Sequence, residues 1–112
     1  LTPVSKSFVI VNKEGKVVNV EGQVANIRGE VKNLRGRVYN DHGIVYNEDG
    51  VVFNAGGNVD NLRGHVTNLA GQVRNSGGTV ANQGGLVQND RGEVTNVRGK
   101  VENYSGTVAN TQ

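Results

Sequence analysis

The chain has 112 residues, enough for one domain, with 17 glycines, 4% aromatic residues and no cysteine, methionine or tryptophan. This composition argues against an ordinary globular core of large apolar side chains and against a disulfide-stapled fold. The formal charge of +2 comes from 12 basic and 10 acidic residues, a balance that argues against nucleic acid as a partner. No apolar run approaches the roughly 18 residues of a membrane span, so we expect no membrane insertion.

The first 14 residues differ from the rest of the chain, and we predict that they form a cap followed by a degenerate first repeat. Pro3 lacks the backbone donor that an incoming strand would need. Ile10 and Asn12 stand in register with the later repeats, but Phe8 replaces the repeat glycine. We expect Phe8 to close the open end of the core.

Residues 15–112 consist of fourteen unbroken repeats of Gly-x-Val-x-Asn-x-x. The glycines run from Gly15 to Gly106 at intervals of seven, and no repeat lacks its valine or its asparagine. Fixed spacing over the whole segment is typical of a repeat architecture in which each unit packs on its neighbours.

A seven-residue period is also that of a coiled coil, but the residue types contradict it. Fourteen interior glycines would each cost about 1 kcal/mol in a helix. In contrast, Gly, Val and Asn are two residues apart, which is the side-chain period on one face of a strand. We therefore predict one strand per repeat, with valine inward and the intervening residues outward. Core and ladder positions in the middle of the array are Val66, Val73, Val80, Asn68, Asn75 and Asn82.

The charges indicate how many repeats form one coil. Counted from Gly15, odd-numbered repeats hold most of the charged residues, and the residue after valine is never charged in even-numbered repeats. Grouping by threes gives no such separation. The sequence thus favours an all-β, two-sheet β-solenoid with two repeats per 14-residue coil, and a rod about 35–40 Å long. Because valine alone makes a small core, we also expect some aliphatic residues directly after the repeat asparagines to turn inward.

No arrangement of residues indicates catalysis or a cofactor. His42 and His65 occupy different repeat positions and lack the paired spacing of metal ligands. The acidic residues do not recur at a fixed position, as a calcium-binding β-roll would require. The glycine-rich texture lacks the Gly-Lys-Ser/Thr sequence of a phosphate loop. We therefore expect no enzyme activity, no metal site and no cofactor.

One group of large apolar residues breaks the polar pattern of the outward positions. It comprises Tyr39, Ile44, Tyr46, Val51 and Phe53, in three consecutive repeats. With two repeats per coil, Tyr39, Val51 and Phe53 would share one face, and Ile44 and Tyr46 would lie on the other. Two interpretations remain open: local cross-strand stacking, or a candidate lateral contact patch.

The stretch from Gly64 to Gly106, with Asn-Ser-Gly-Gly-Thr-Val and Asn-Gln-Gly-Gly-Leu-Val, resembles repeats of filamentous-haemagglutinin-type bacterial adhesins. That resemblance implies a secreted β-helix at the cell surface, with a host or surface receptor as partner. The array is also similar, in reversed order, to the x-x-Asn-x-Val-x-Gly repeat of the grass ice-binding β-roll. This second resemblance implies about fourteen residues per coil, valine inside and a flat face of small polar residues.

We expect an extracellular structural or adhesive rod that self-associates, either end to end or laterally. The alternatives are an ice-binding β-roll and a trimeric phage-fibre shaft with intertwined chains. The last repeat stays in register as far as Gln112. This leads us to expect either a longer array or stacking of that end on the first coil of a neighbour.

Overall fold

The computed structural model describes residues 4–5 and 9–111, which form short strands joined by bends. Nearly every repeat contributes one four-residue strand that ends at its asparagine. The strands are β1 Val4–Ser5, β2 Val9–Asn12, β3 Lys16–Asn19, β4 Gln23–Asn26, β5 Glu30–Asn33, β6 Arg37–Asn40, β7 Ile44–Asn47, β8 Val51–Asn54, β9 Asn58–Asn61, β10 His65–Asn68, β11 Gln72–Asn75, β12 Thr79–Asn82, β13 Leu86–Asn89, β14 Glu93–Asn96, β15 Lys100–Asn103 and β16 Thr107–Asn110.

Two parallel eight-stranded sheets run the length of the molecule. The odd-numbered strands form one sheet and the even-numbered strands the other, here called the odd sheet and the even sheet. Each strand pairs with the strand two places later, so that residue i lies beside residue i+14, as in Val66 beside Val80. The prediction of a two-sheet β-solenoid with 14-residue coils is confirmed. The rod measures 41 × 20 × 17 Å, slightly longer than expected.

The core is made of valine, one residue per strand from β3 to β16, with Ile10 of β2 packed against it. From Val17 to Val94 these side chains are at most 2% exposed, and they form a single cluster between the two sheets. Val66, Val73 and Val80 lie in it as predicted. The expectation that aliphatic residues after the asparagines turn inward is wrong, because none of them belongs to the core cluster. Leu62 and Leu69 are 41% and 51% exposed, and the others, Val20, Ile27, Leu34 and Val97, are half-buried. Each strand ends at the asparagine, so the next residue already lies on the outer side of the corner.

The repeat asparagines form a buried hydrogen-bonded ladder along each sheet. The Nδ2 atom of each donates to Oδ1 of the asparagine fourteen residues later, at 2.7–2.8 Å. The same Nδ2 donates to the carbonyl oxygen of the glycine three residues on, at 2.9 Å for Asn68 and Gly71. Side-chain amides thus bind the coils to one another and close each corner, which satisfies polar groups that would be costly to bury alone.

The repeat glycine is required by close packing at the corner. A Cβ atom at Gly71 would collide with the carbonyl oxygen of Gly57, one coil earlier, and with Nδ2 of Asn54. The same two clashes recur along the array. The backbone also continues its inter-coil hydrogen bonds through the corners, as from Leu86 N to Gly71 O at 3.0 Å. Any side chain at this position would therefore separate adjacent coils.

The parallel stack extends into the predicted N-terminal segment. In β1, Val4 and Ser5 pair with Val18 and Asn19, and β2 pairs with β4 along its whole length. Among the described side chains, none donates to Oδ1 of Asn19, a buried atom whose register partner in β1 is a serine instead of an asparagine. Pro3 and Phe8, which carried the cap prediction, lie outside the described residues.

Candidate interaction surfaces

Each strand from β3 to β16 presents two side chains to solvent, one on each side of its valine, and the two sheets differ in what they present. On the odd sheet the row after valine is mixed and charged: Val18, Lys32, Tyr46, Asp60, Arg74, Gln88 and Glu102. On the even sheet the corresponding row is Val11, Ala25, Tyr39, Phe53, Thr67, Ala81, Thr95 and Ala109. The even sheet therefore offers an uncharged row along the full rod.

Ion pairs between successive coils line the corners. Glu14 and Arg28 lie 3.6 Å apart, and Nε of Arg63 lies 3.0 Å from Asp49 Oδ1. The hydrogen bond and charge of Asp49, then those of Glu48, raise the pKa of Arg63 above its ordinary value. These side chains are exposed, so the pairs add little stability. Their main consequence is that opposite charges meet when the coils stack in this register.

The even sheet carries one aromatic stack. The rings of Tyr39 and Phe53, on neighbouring strands, have centroids 5.2 Å apart and an interplanar angle of 10°. Small side chains flank the pair, with Ala25 beside Tyr39 and Thr67 beside Phe53. The two rings are 46% and 40% exposed.

The structure divides the predicted contact patch between the two sheets. Tyr39, Val51 and Phe53 lie together on the even sheet, in β6 and β8. Ile44 and Tyr46 lie in β7 on the odd sheet, where Tyr46 stands between Lys32 and Asp60. The five residues therefore cannot bind one partner surface together, and the even-sheet group is the candidate that remains contiguous. The stacking of Tyr39 on Phe53 agrees with the cross-strand interpretation.

An open groove follows the even sheet between the row after valine and the row after asparagine. Its volume is about 640 Å³, and its lining includes Tyr39, Phe53, Ala55, Leu69 and Ala81. The groove is shallow and repeats from coil to coil. It is therefore suited to an extended partner rather than to a compact ligand.

The histidines do not form a site with other residues. Nδ1 of His42 lies 3.2 Å from Oδ1 of the adjacent Asp41, both exposed at a corner, and His65 lies on the even-sheet surface. Across residues 4–5 and 9–111, no three His, Cys, Asp or Glu side chains come together as a metal site would require. In the same part of the chain, no helix is long and apolar enough to cross a membrane.

Compared with known proteins, the chain matches no family model, no curated protein and no solved structure.

Proposed function

We propose that the protein is a rigid rod that serves as an extracellular structural or adhesive segment, holding apart or joining whatever lies at its two ends. The observation that carries the proposal is the unbroken register between residues i and i+14. From Gly15 onwards every coil repeats the same valine core and asparagine ladder, while the residues between them vary. Length and stiffness are then the properties that the sequence preserves, and the rod itself is what the protein supplies.

The polarity of the ladder supports growth along the axis. Each Nδ2 points towards the C-terminal end of the rod and each Oδ1 towards the N-terminal end, as between Asn61 and Asn75 at 2.7 Å. A further coil of the same repeat, from this chain or from a second copy, would continue the ladder at either end. End-to-end association through this match is part of the proposal, as is a surface receptor for the adhesive role.

Removing whole coils tests the spacer role. We expect deletion of residues 57–84, two coils, to leave a folded rod that is about 10 Å shorter by small-angle X-ray scattering. As a control, deletion of residues 57–77 removes three repeats and would exchange the two sheets beyond the junction. If the rod is an extracellular spacer, protease that is added to intact cells producing the protein should be able to reach it. An unfolded two-coil deletion, or a rod protected inside the cell, would contradict the proposal.

Ice binding is the second candidate, and one feature of the even sheet favours it. Thr67 and Thr95 alternate with alanines in the row after valine, and Thr79 and Thr107 occupy the row before it. In this half of the face the row after valine holds only threonine and alanine, whereas Glu93 separates Thr79 from Thr107 in the row before valine. Thermal hysteresis of the purified rod, abolished by Thr95→Tyr but kept in a Gln88→Tyr control on the odd sheet, would support this function over the structural one.

A further inference from the structure

We propose that two copies of the chain pack even sheet against even sheet, antiparallel, about a twofold axis that runs along the strand direction between β8 and β10. This inference deepens the self-association of the proposed function, on which it rests, by naming the face and the geometry. The partner is a second copy of this chain. The argument comes from the sizes and charges of the outward side chains on this sheet.

The twofold axis reverses the order of the coils and keeps each row opposite itself. It places β6 against the partner's β12, and β8 against the partner's β10. Tyr39 then opposes the partner's Ala81, and Phe53 opposes the partner's Thr67. Large side chains in the first half of the row thus meet small ones in the second half. A face that is complementary to itself in this way satisfies the requirement of a closed twofold dimer.

The opposite arrangement, with parallel rods, would lack this fit. An axis along the rod would set each coil against its own copy, so that Tyr39 faces the partner's Arg37 and Phe53 faces the partner's Val51. Near β6 and β8, large side chains would face large side chains of the partner. Around β12, Ala81 would face only the partner's Thr79. The two faces would therefore diverge as a wedge, and close packing along the rod would fail.

Charge agrees with the antiparallel arrangement. In the row before valine, Arg37 opposes the partner's Thr79 and lies one strand from the partner's Glu93. At the corner row, Asp41 opposes the partner's Gln83. In the two rows beside valine and the row directly after asparagine, no two like charges are placed opposite each other. Opposed like charges would cost binding energy, so their absence favours this geometry.

The available area is sufficient for a stable dimer. A face 41 Å long on a rod 17 Å across offers about 700 Å², close to the roughly 800 Å² per partner of a standard protein interface. Tyr39 and Phe53 lie near the middle of that face, where buried aromatic residues contribute most to binding.

Mass and orientation test the proposal separately. We expect sedimentation equilibrium to show a dimer, and Ala81→Arg, which places a large charge against Tyr39 of the partner, to weaken it at least tenfold. Gln72→Arg, an exposed site on the odd sheet, is the matched control and should leave the dimer unchanged. Far-UV circular dichroism checks that each variant keeps the fold.

A spin label on Lys13→Cys then reports orientation, since the chain has no other cysteine. Its distance to the same label of the partner should be about 34 Å for seven coils in the antiparallel dimer, whereas a parallel dimer would bring the labels close together. Three results would overturn the inference. They are a dimer that Ala81→Arg does not weaken, a short distance between the labels, and a parent protein that stays monomeric. A monomer that keeps the 41 Å rod in solution would leave the structural rod of the proposed function standing, without its end-to-end association. Assemblies that grow beyond a dimer while resisting Ala81→Arg would indicate end-to-end stacking and overturn the lateral dimer alone.

Discussion

Strand β9 contains two asparagines in different environments, and the same substitution at each tests the ladder. Asn61 is 3% exposed, donates to Asn75 and to Gly64, and accepts a hydrogen bond from Asn47 at 2.7 Å. Asn58 is exposed on the odd-sheet surface of the same strand. Asn61→Ala removes three hydrogen bonds, whereas Asn58→Ala removes none of the ladder.

The expected loss of stability follows from the buried polar groups that Asn61→Ala leaves without a hydrogen-bond partner. One amide proton of Asn47 and Oδ1 of Asn75 are left buried without a partner, and each such group costs about 1–3 kcal/mol. We therefore expect a loss of about 2–6 kcal/mol in the free energy of unfolding. Asn58→Ala should change it by about 0.5 kcal/mol or less.

Urea denaturation followed by far-UV circular dichroism measures both variants, and hydrogen exchange shows whether the loss is local. Solenoids can open from one region, so protection should fall first in the coils next to Asn61. If the two variants have the same denaturation midpoint and the same exchange pattern, the ladder does not stabilise the rod and the reasoning is refuted.

Three further substitutions test the core, the corner and the surface charges. Val73→Asp should destabilise the rod by more than about 4 kcal/mol in thermal unfolding, and Gln72→Asp should not, because only the first buries an unpaired charge. Gly71→Ala should lower the free energy of unfolding by about 1–3 kcal/mol or more in the same measurement, because its Cβ atom has no space. Gly56→Ala, at an open corner, should be tolerated. Arg63→Gln should lower the melting temperature slightly in low salt and not at all in 1 M salt, because its ion pairs are exposed and screened. Equal effects within either matched pair, or a salt-independent effect of Arg63→Gln, would contradict these assignments.

The fixed residues of the repeat predict most of this fold. Valine, asparagine and glycine at alternate positions predict an inward strand face; the structure places valine and asparagine there and the glycine at the corner directly before the strand. The coil length depended on a weaker signal, the uneven charge of odd and even repeats. A stronger signal was present in the sequence: charges fourteen residues apart form several opposite pairs and no like pair. The opposite pairs are Glu14–Arg28, Lys16–Glu30, Glu21–Arg35, Arg35–Asp49, Asp49–Arg63 and Asp60–Arg74.

The position of the aliphatic residues after each asparagine could not be obtained from the period alone. Leu62 and Leu69 have the spacing of a second core position, and their composition is apolar. Their outward placement follows from the corner, where the asparagine side chain folds back to the carbonyl oxygen of the glycine three residues later. That hydrogen bond fills the interior at the corner and leaves no space for leucine. It is a local feature of the corner that the seven-residue period alone does not reveal.

The division of the candidate contact patch between two faces was predictable from the sequence, because it follows from the 14-residue coil. Tyr39 and Tyr46 are only seven residues apart, yet they lie on opposite sheets. Tyr39 and Phe53 are fourteen apart and stack directly. Large apolar residues along this chain therefore have to be compared at intervals of one whole coil.

The distance between Lys16 and Lys100 tests the central claim, that each coil contains fourteen residues. Both residues lie in the row before valine on the odd sheet, at the starts of β3 and β15. Spin labels on Lys16→Cys and Lys100→Cys report this distance by pulsed electron–electron double resonance. The Ala81→Arg background and dilution with unlabelled chain restrict the signal to pairs within one chain. Six coils predict a narrow distribution near 29 Å. A distance near 19 Å would mean three repeats per coil and would contradict the two-sheet solenoid.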